Sequence, residues 1–175
     1  MKKGILLLFL AVKSLLFAVG DDINTKLYHA ALFYKVDKAR KLLDQGVDVN
    51  AVLGSDSALN VVAAEESGYE ALKLLISRSV KIDYQDKRGD TALISAASGG
   101  QFNSVRLLLD SGANINIVNK HNMSALSKAC MLQRHAIINI LLQRNAKIHF
   151  HGVERGYLAY LINRVVSNRP LLKLT

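Results

Sequence analysis

The sequence predicts an all-α solenoid of stacked helix-turn-helix units joined by short β-hairpin-like turns. Small residues recur in steps of 33, from Ala30 through Ala63 and Ala96 to Ala129, and from Ala31 through Ala64 and Ala97 to Cys130. Larger apolar residues keep the same phase. Leu42, Leu75, Leu108 and Leu141 form one column, Leu43, Ile76, Leu109 and Leu142 a second, and Val49, Ile82, Ile115 and Ile148 a third. A random sequence has no reason to hold so many columns in one register. A fixed period of this length means units that bury their apolar faces only against their neighbours.

Residues 86–116 show the unit most clearly. They open with Asp86, Lys87, Arg88, Gly89, Asp90, Thr91, Ala92 and Leu93, pass Ala96, Ala97, Gly100 and Phe102, and close on Leu108, Leu109, Asp110, Ser111, Gly112, Ala113, Asn114, Ile115 and Asn116. This stretch resembles an ankyrin repeat, whose period is about 33 residues. The resemblance covers residues 23–151. It implies an ankyrin-repeat solenoid with repeats at 23–52, 53–85, 86–118 and 119–151 and a partial cap at 152–169, within a domain of residues 21–175.

Taken in order, residues 1–20 read as an address. Lys2 and Lys3 precede an apolar run over residues 4–12, which Lys13 interrupts, and Ala18, Val19 and Gly20 form a small-residue site before Asp21 and Asp22. That pattern suits a secretory signal peptide cleaved after Gly20. The mature chain is then expected to be periplasmic or secreted. An uncleaved segment would instead anchor it at a membrane, or cap the first repeat.

Repeat one carries Thr25, Leu27, Ala30 and Ala31, which match the family's Thr-Pro-Leu-His-x-Ala-Ala, with Thr25 expected as the N-cap. The family's helix-initiating proline is replaced by Lys26, Ala58, Ala92 and Ala125. Gly46 is placed for a left-handed helix stop, and residues 47–51 alternate as the family's extended segment does.

Repeat two is the irregular one. The 33-residue step sets Asn60 in the column of Leu27, Leu93 and Leu126, while Leu59 lies one position early. A turn shortened by one residue, with an extra residue before Ala63, would spare a buried amide the roughly 1–3 kcal/mol of an unmet hydrogen bond. Ser79 stands where the stop glycine belongs, and repeat four uses Asn145 there. Repeat three is the most regular, with an extended segment expected at residues 113–116. A last helix is expected at residues 157–166, ended by Pro170.

The chain has 175 residues, half of them hydrophobic, a single cysteine and a formal charge of +9. One cysteine excludes an internal disulfide, and Cys130 in a small-residue column reads as a buried small hydrophobe. Residues 119–175 hold nine Lys or Arg and only Glu154, whereas residues 21–118 hold eleven basic and thirteen acidic residues. A basic end on a near-neutral body could meet phosphates or anionic headgroups. No nucleic-acid motif accompanies it, so nucleic acid is disfavoured.

No catalytic spacing is present, whether GxSxG, P-loop, CxxC or HExxH, and an enzyme is not expected. No cofactor or metal is expected. His149 and His151 share a face but lack further ligands, and His149 follows Asn50, Asp83 and Asn116 in a turn column. His135 lies in an apolar helix column. The family resemblance implies a binding surface made of turn tips and of the two residues after each Ala-Ala pair. Here these are Lys87, Arg88 and Asp90, Lys120, His121 and Met123, and then Leu32, Phe33, Glu65, Glu66, Met131 and Leu132, with Ser98 and Gly99 between. The expected partner is a protein, and the chain is expected to be monomeric. The alternative is a membrane-surface or anionic-ligand adaptor.

Overall fold

The computed structural model describes residues 23–52 and 57–147. Four helical hairpins follow one another. They are α1 (Ile23–Leu32) with α2 (Val36–Asp44), α3 (Ala58–Ala64) with α4 (Tyr69–Ser77), α5 (Ala92–Gly99) with α6 (Phe102–Asp110), and α7 (Ala125–Met131) with α8 (His135–Gln143). The first helices stack as a row, α1 on α3, α3 on α5 and α5 on α7, and the second helices form a row behind them. This is the expected solenoid. The expected signal peptide, the 157–166 helix, the partial cap, His149 and His151 lie outside the described residues. Among the described residues, no helix is long and apolar enough to cross a membrane.

Ala30, Ala31, Ala63, Ala96, Ala97, Ala129 and Cys130 are buried, as are Leu27, Leu72, Leu75, Leu93, Leu108, Leu126 and Leu141. Small residues let adjacent first helices approach, and the leucines fill the space between rows. Each second helix ends in the same way. The residue after it in the left-handed region is Gly46 at φ 85°, Ser79 at 60°, Gly112 at 87° and Asn145 at 60°. The N–H of the following residue then reaches back, Val47 to the Leu42 carbonyl, Val80 to Leu75, Ala113 to Leu108 and Ala146 to Leu141. A second left-handed column lies between the two helices of a repeat, at Tyr34, Gly100 and Gln133.

Repeat two departs from the 33-residue step, early at its first helix as expected, but with the compensating residue elsewhere. Its second helix keeps step, since Tyr69–Ser77 lies 33 residues before Phe102–Asp110. Its first helix starts one position early. Leu59, Asn60, Val62 and Ala63 are buried where Leu93, Ile94, Ala96 and Ala97 are buried one repeat later. The extra residue therefore comes after the small pair, not before Ala63. It is taken up by a 3-10 turn at Glu66–Gly68, which replaces the left-handed residue of the other hairpins. Asn60 gains nothing from the shift and stays buried. Its Nδ2 donates to the Asp90 carbonyl at 2.7 Å, and its Oδ1 has no partner.

Two further expectations need correction. Thr25 lies inside α1, not at its cap, because the helix already runs at Ile23. The segments after the second helices curl rather than extend. Val49–Val52 is a 3-10 turn and residues 115–116 form a turn, because short polar side chains fold back on their own backbone. Asp48 Oδ1 accepts the Asn50 N–H at 2.9 Å and Asn114 Oδ1 that of Asn116 at 3.0 Å.

These turns also join the repeats. Asn50 Oδ1 accepts the Lys81 N–H at 2.9 Å, Asp83 Oδ1 that of Asn114 at 2.9 Å, and Asn116 Oδ1 that of Lys147 at 2.8 Å. One column thus clips each repeat to the next, the polar turn role expected for it. Outside the core, Asp44 pairs with Arg78 at 2.5 Å and Asp110 with Arg144 at 2.7 Å. The equivalent positions between repeats two and three are Ser77 and Ser111.

Candidate partner-binding surface

Two regions carry the expected contact residues, the turn tips before α5 and α7 and the ends of the first helices. The turn tips are rigid by construction. In repeat three the Asp86 Oδ1 accepts the N–H groups of Arg88 and Asp90 at 2.8 and 2.9 Å, and the Asp86 N–H donates to the Asp90 carbonyl at 3.0 Å. In repeat four Asn119 Oδ1 accepts those of His121 and Met123, both at 2.9 Å. Gly89 and Asn122 supply the left-handed corner of each turn. In repeat four an antiparallel bridge, Val118 with Ser124, gives the turn its hairpin-like character.

The two turns are joined. The Lys120 N–H donates to the Arg88 carbonyl at 3.0 Å, Asn119 Nδ2 donates to Asp90 Oδ1 at 2.7 Å, and Gln85 Nε2 bonds the carbonyls of Gly89 and Val118. Asp90 also faces Arg88 Nε at 3.3 Å, so its carboxylate holds the turns together. Lys87, Arg88, Lys120 and His121 are exposed at the tips, while Met123 is half-buried beneath them.

The helix ends differ from repeat to repeat. In repeat one Leu32 and Phe33 are half-buried, and Leu32 packs against the core. Phe33 adjoins His29 at a ring separation of 6.1 Å, and His29 meets Tyr28 edge-on at 5.8 Å. In repeat two Glu65 and Glu66 are exposed. With the small pair at Val62 and Ala63, the residues after it are Ala64 and Glu65, and Glu66 belongs to the added turn. Glu65 lies close to repeat one, for burial first, and the Glu65 charge second, push the Tyr34 phenol above its ordinary range.

In repeat three the wall is bare. Gly99 lies so near α3 that a Cβ there would run into the Ala64 carbonyl oxygen. In repeat four Met131 and Leu132 are 42% and 39% exposed. Neither burial nor a hydrogen bond needs them to be apolar. His135, expected to be packed or half-exposed from its apolar column, is instead exposed at the start of α8. Among the described residues no group of three or more His, Cys, Asp or Glu is placed to hold a metal ion. Cys130 is buried within α7. The sequence missed Asn60 and Asp90 as joints between repeats, since neither partner is visible in a single column.

A family model for ankyrin repeats (three copies) matches residues 59–151. The chain belongs to the ankyrin-repeat family. Among its relatives, a delta-latroinsectotoxin of Latrodectus tredecimguttatus is 39% identical over 101 residues, 54% of this chain and 8% of the toxin. A putative ankyrin repeat protein of Acanthamoeba polyphaga mimivirus is 27% identical over 128 residues, 68% of this chain and 79% of that protein. The neurogenic locus notch homolog protein 2 of Homo sapiens is 32% identical over 122 residues, 69% of this chain and 5% of that protein. The chain thus spans a small fraction of the toxin and of the notch homolog. Ankyrin repeats are generally protein–protein interaction modules and typically non-catalytic.

Proposed function

We propose that this ankyrin-repeat chain is a non-catalytic binding module that holds a protein partner along its turn tips and the row of first-helix ends. The observation that carries the reading is the exposure of Met131 and Leu132, side by side where α7 ends. Apolar groups held in water beside a rigid polar rim are the usual mark of a surface that a partner covers. Mechanism here is presentation. The turns fix each other through hydrogen bonds, so little order is lost when the partner docks.

Affinity capture with the 175-residue chain tests the reading. Changing Met131 and Leu132 to Ser together should weaken recovery of a bound protein about tenfold, given the ~25 cal/mol per Å² of apolar area withdrawn from water. Unchanged recovery would remove this surface from the function. The export half of the reading rests on Lys2, Lys3, the apolar run and the Ala18, Val19, Gly20 site. Mass spectrometry of the chain isolated from cells should give a first residue of Asp21. An intact N-terminus in a salt-resistant membrane pellet would favour the membrane-surface adaptor, whose basic C-terminal end supplies the lipid or anion contact.

A further inference from the structure

The first-helix ends form one row because α1, α3, α5 and α7 pack in succession. Along that row the chemistry changes in a fixed order. Repeat one contributes the His29 and Phe33 rings. Repeat two contributes Glu65 and Glu66, both exposed, with Glu66 opening its added 3-10 turn. Among the described residues no cation is paired with either carboxylate. Repeat three contributes no side chain beyond Ser98, since Gly99 has none. Repeat four contributes Met131 and Leu132.

We propose that this row binds an extended peptide with an arginine at one end and an apolar side chain at the other. The arginine lies against Glu65 and Glu66, and the apolar side chain covers Met131 and Leu132. This deepens the binding-module reading and rests on it. Charge complementarity selects a cation at repeat two. A guanidinium suits this seat better than an ammonium, because its planar fork can bond carboxylates in more than one direction at once. Packed helices lie about 8–10 Å apart, so the two seats are about 16–20 Å apart, which an extended strand spans in about five or six residues.

Display of random short peptides against the immobilised full chain tests this. Enriched sequences should pair an arginine with a Leu, Phe, Ile or Met about five or six residues away. The Glu65→Lys/Glu66→Lys double variant should lose the best such peptide at least about tenfold and gain for its Arg-to-Glu counterpart, since reversing both partners restores the attraction. Both carboxylates are exposed, and unchanged thermal melting of the double variant certifies its fold. Enrichment without the cation, or binding indifferent to the charge reversal, overturns this inference and leaves the binding-module reading standing. No enrichment of any sequence overturns both.

Discussion

Gly99 matters for room rather than for φ. Any side chain there meets the backbone oxygen of Ala64, which cannot swing aside. Gly99→Ala should lower stability by about 1–3 kcal/mol, as overpacking does, read as a drop in Tm. Gly46 is the opposite case, with φ 85° and nothing within 4 Å of a Cβ, so only backbone strain opposes a side chain. Ser79 already bears that strain at φ 60°. Ser79→Gly should raise stability by about 0.5–1 kcal/mol, the left-handed penalty less the added freedom of the unfolded chain. Asn60 should also improve. Its Oδ1 is buried without a partner, and the Asp90 carbonyl it donates to already accepts the Asp86 N–H at 3.0 Å. Asn60→Leu removes the unmet acceptor and strands nothing, so denaturant unfolding should show a gain of about 1 kcal/mol.

Among the elements, the second helices were the legible ones. All four keep the 33-residue step, because Leu42, Leu75, Leu108 and Leu141 fill equivalent space between the rows. In repeat two the early start of the first helix was legible from Leu59, but the place of the compensating residue was not. Val62, Ala63 and Ala64 are all small enough for the close-packed positions, so sequence columns could not tell a 33-residue from a 34-residue offset. The misplacement of Asn60 followed, and so did the pairing of Glu66 with Gly99. Of the candidate surface, the exposure of Met131 and Leu132 was legible because an apolar pair past the buried Ala129 and Cys130 has no core to enter. The service of Asp90 as a joint was not, since it depends on Asn119 in the next repeat. The clip of Asn116 to Lys147 belongs to this scale. Asn116→Ala should cost about 0.5–1.5 kcal/mol and speed hydrogen exchange at the Lys147 amide. Asp83→Asn keeps an acceptor oxygen and should leave the Asn114 amide protected.

For the whole molecule, stability is a sum over neighbouring repeats, and the described seams are not alike. Repeats one and two, and repeats three and four, are each tied by an exposed Asp–Arg pair, while the middle seam has serines and the Gly99 approach to Ala64. Exposed pairs contribute only about 0–1 kcal/mol each, and dissolved ions weaken them further as the screening length falls from about 10 Å at 0.1 M to about 3 Å at 1 M. Ionic strength therefore acts on this rod unevenly. Brine slackens the two flanking joints more than the central one, where backbone lies against backbone at Gly99 and the Asn60 and Asp83 hydrogen bonds cross.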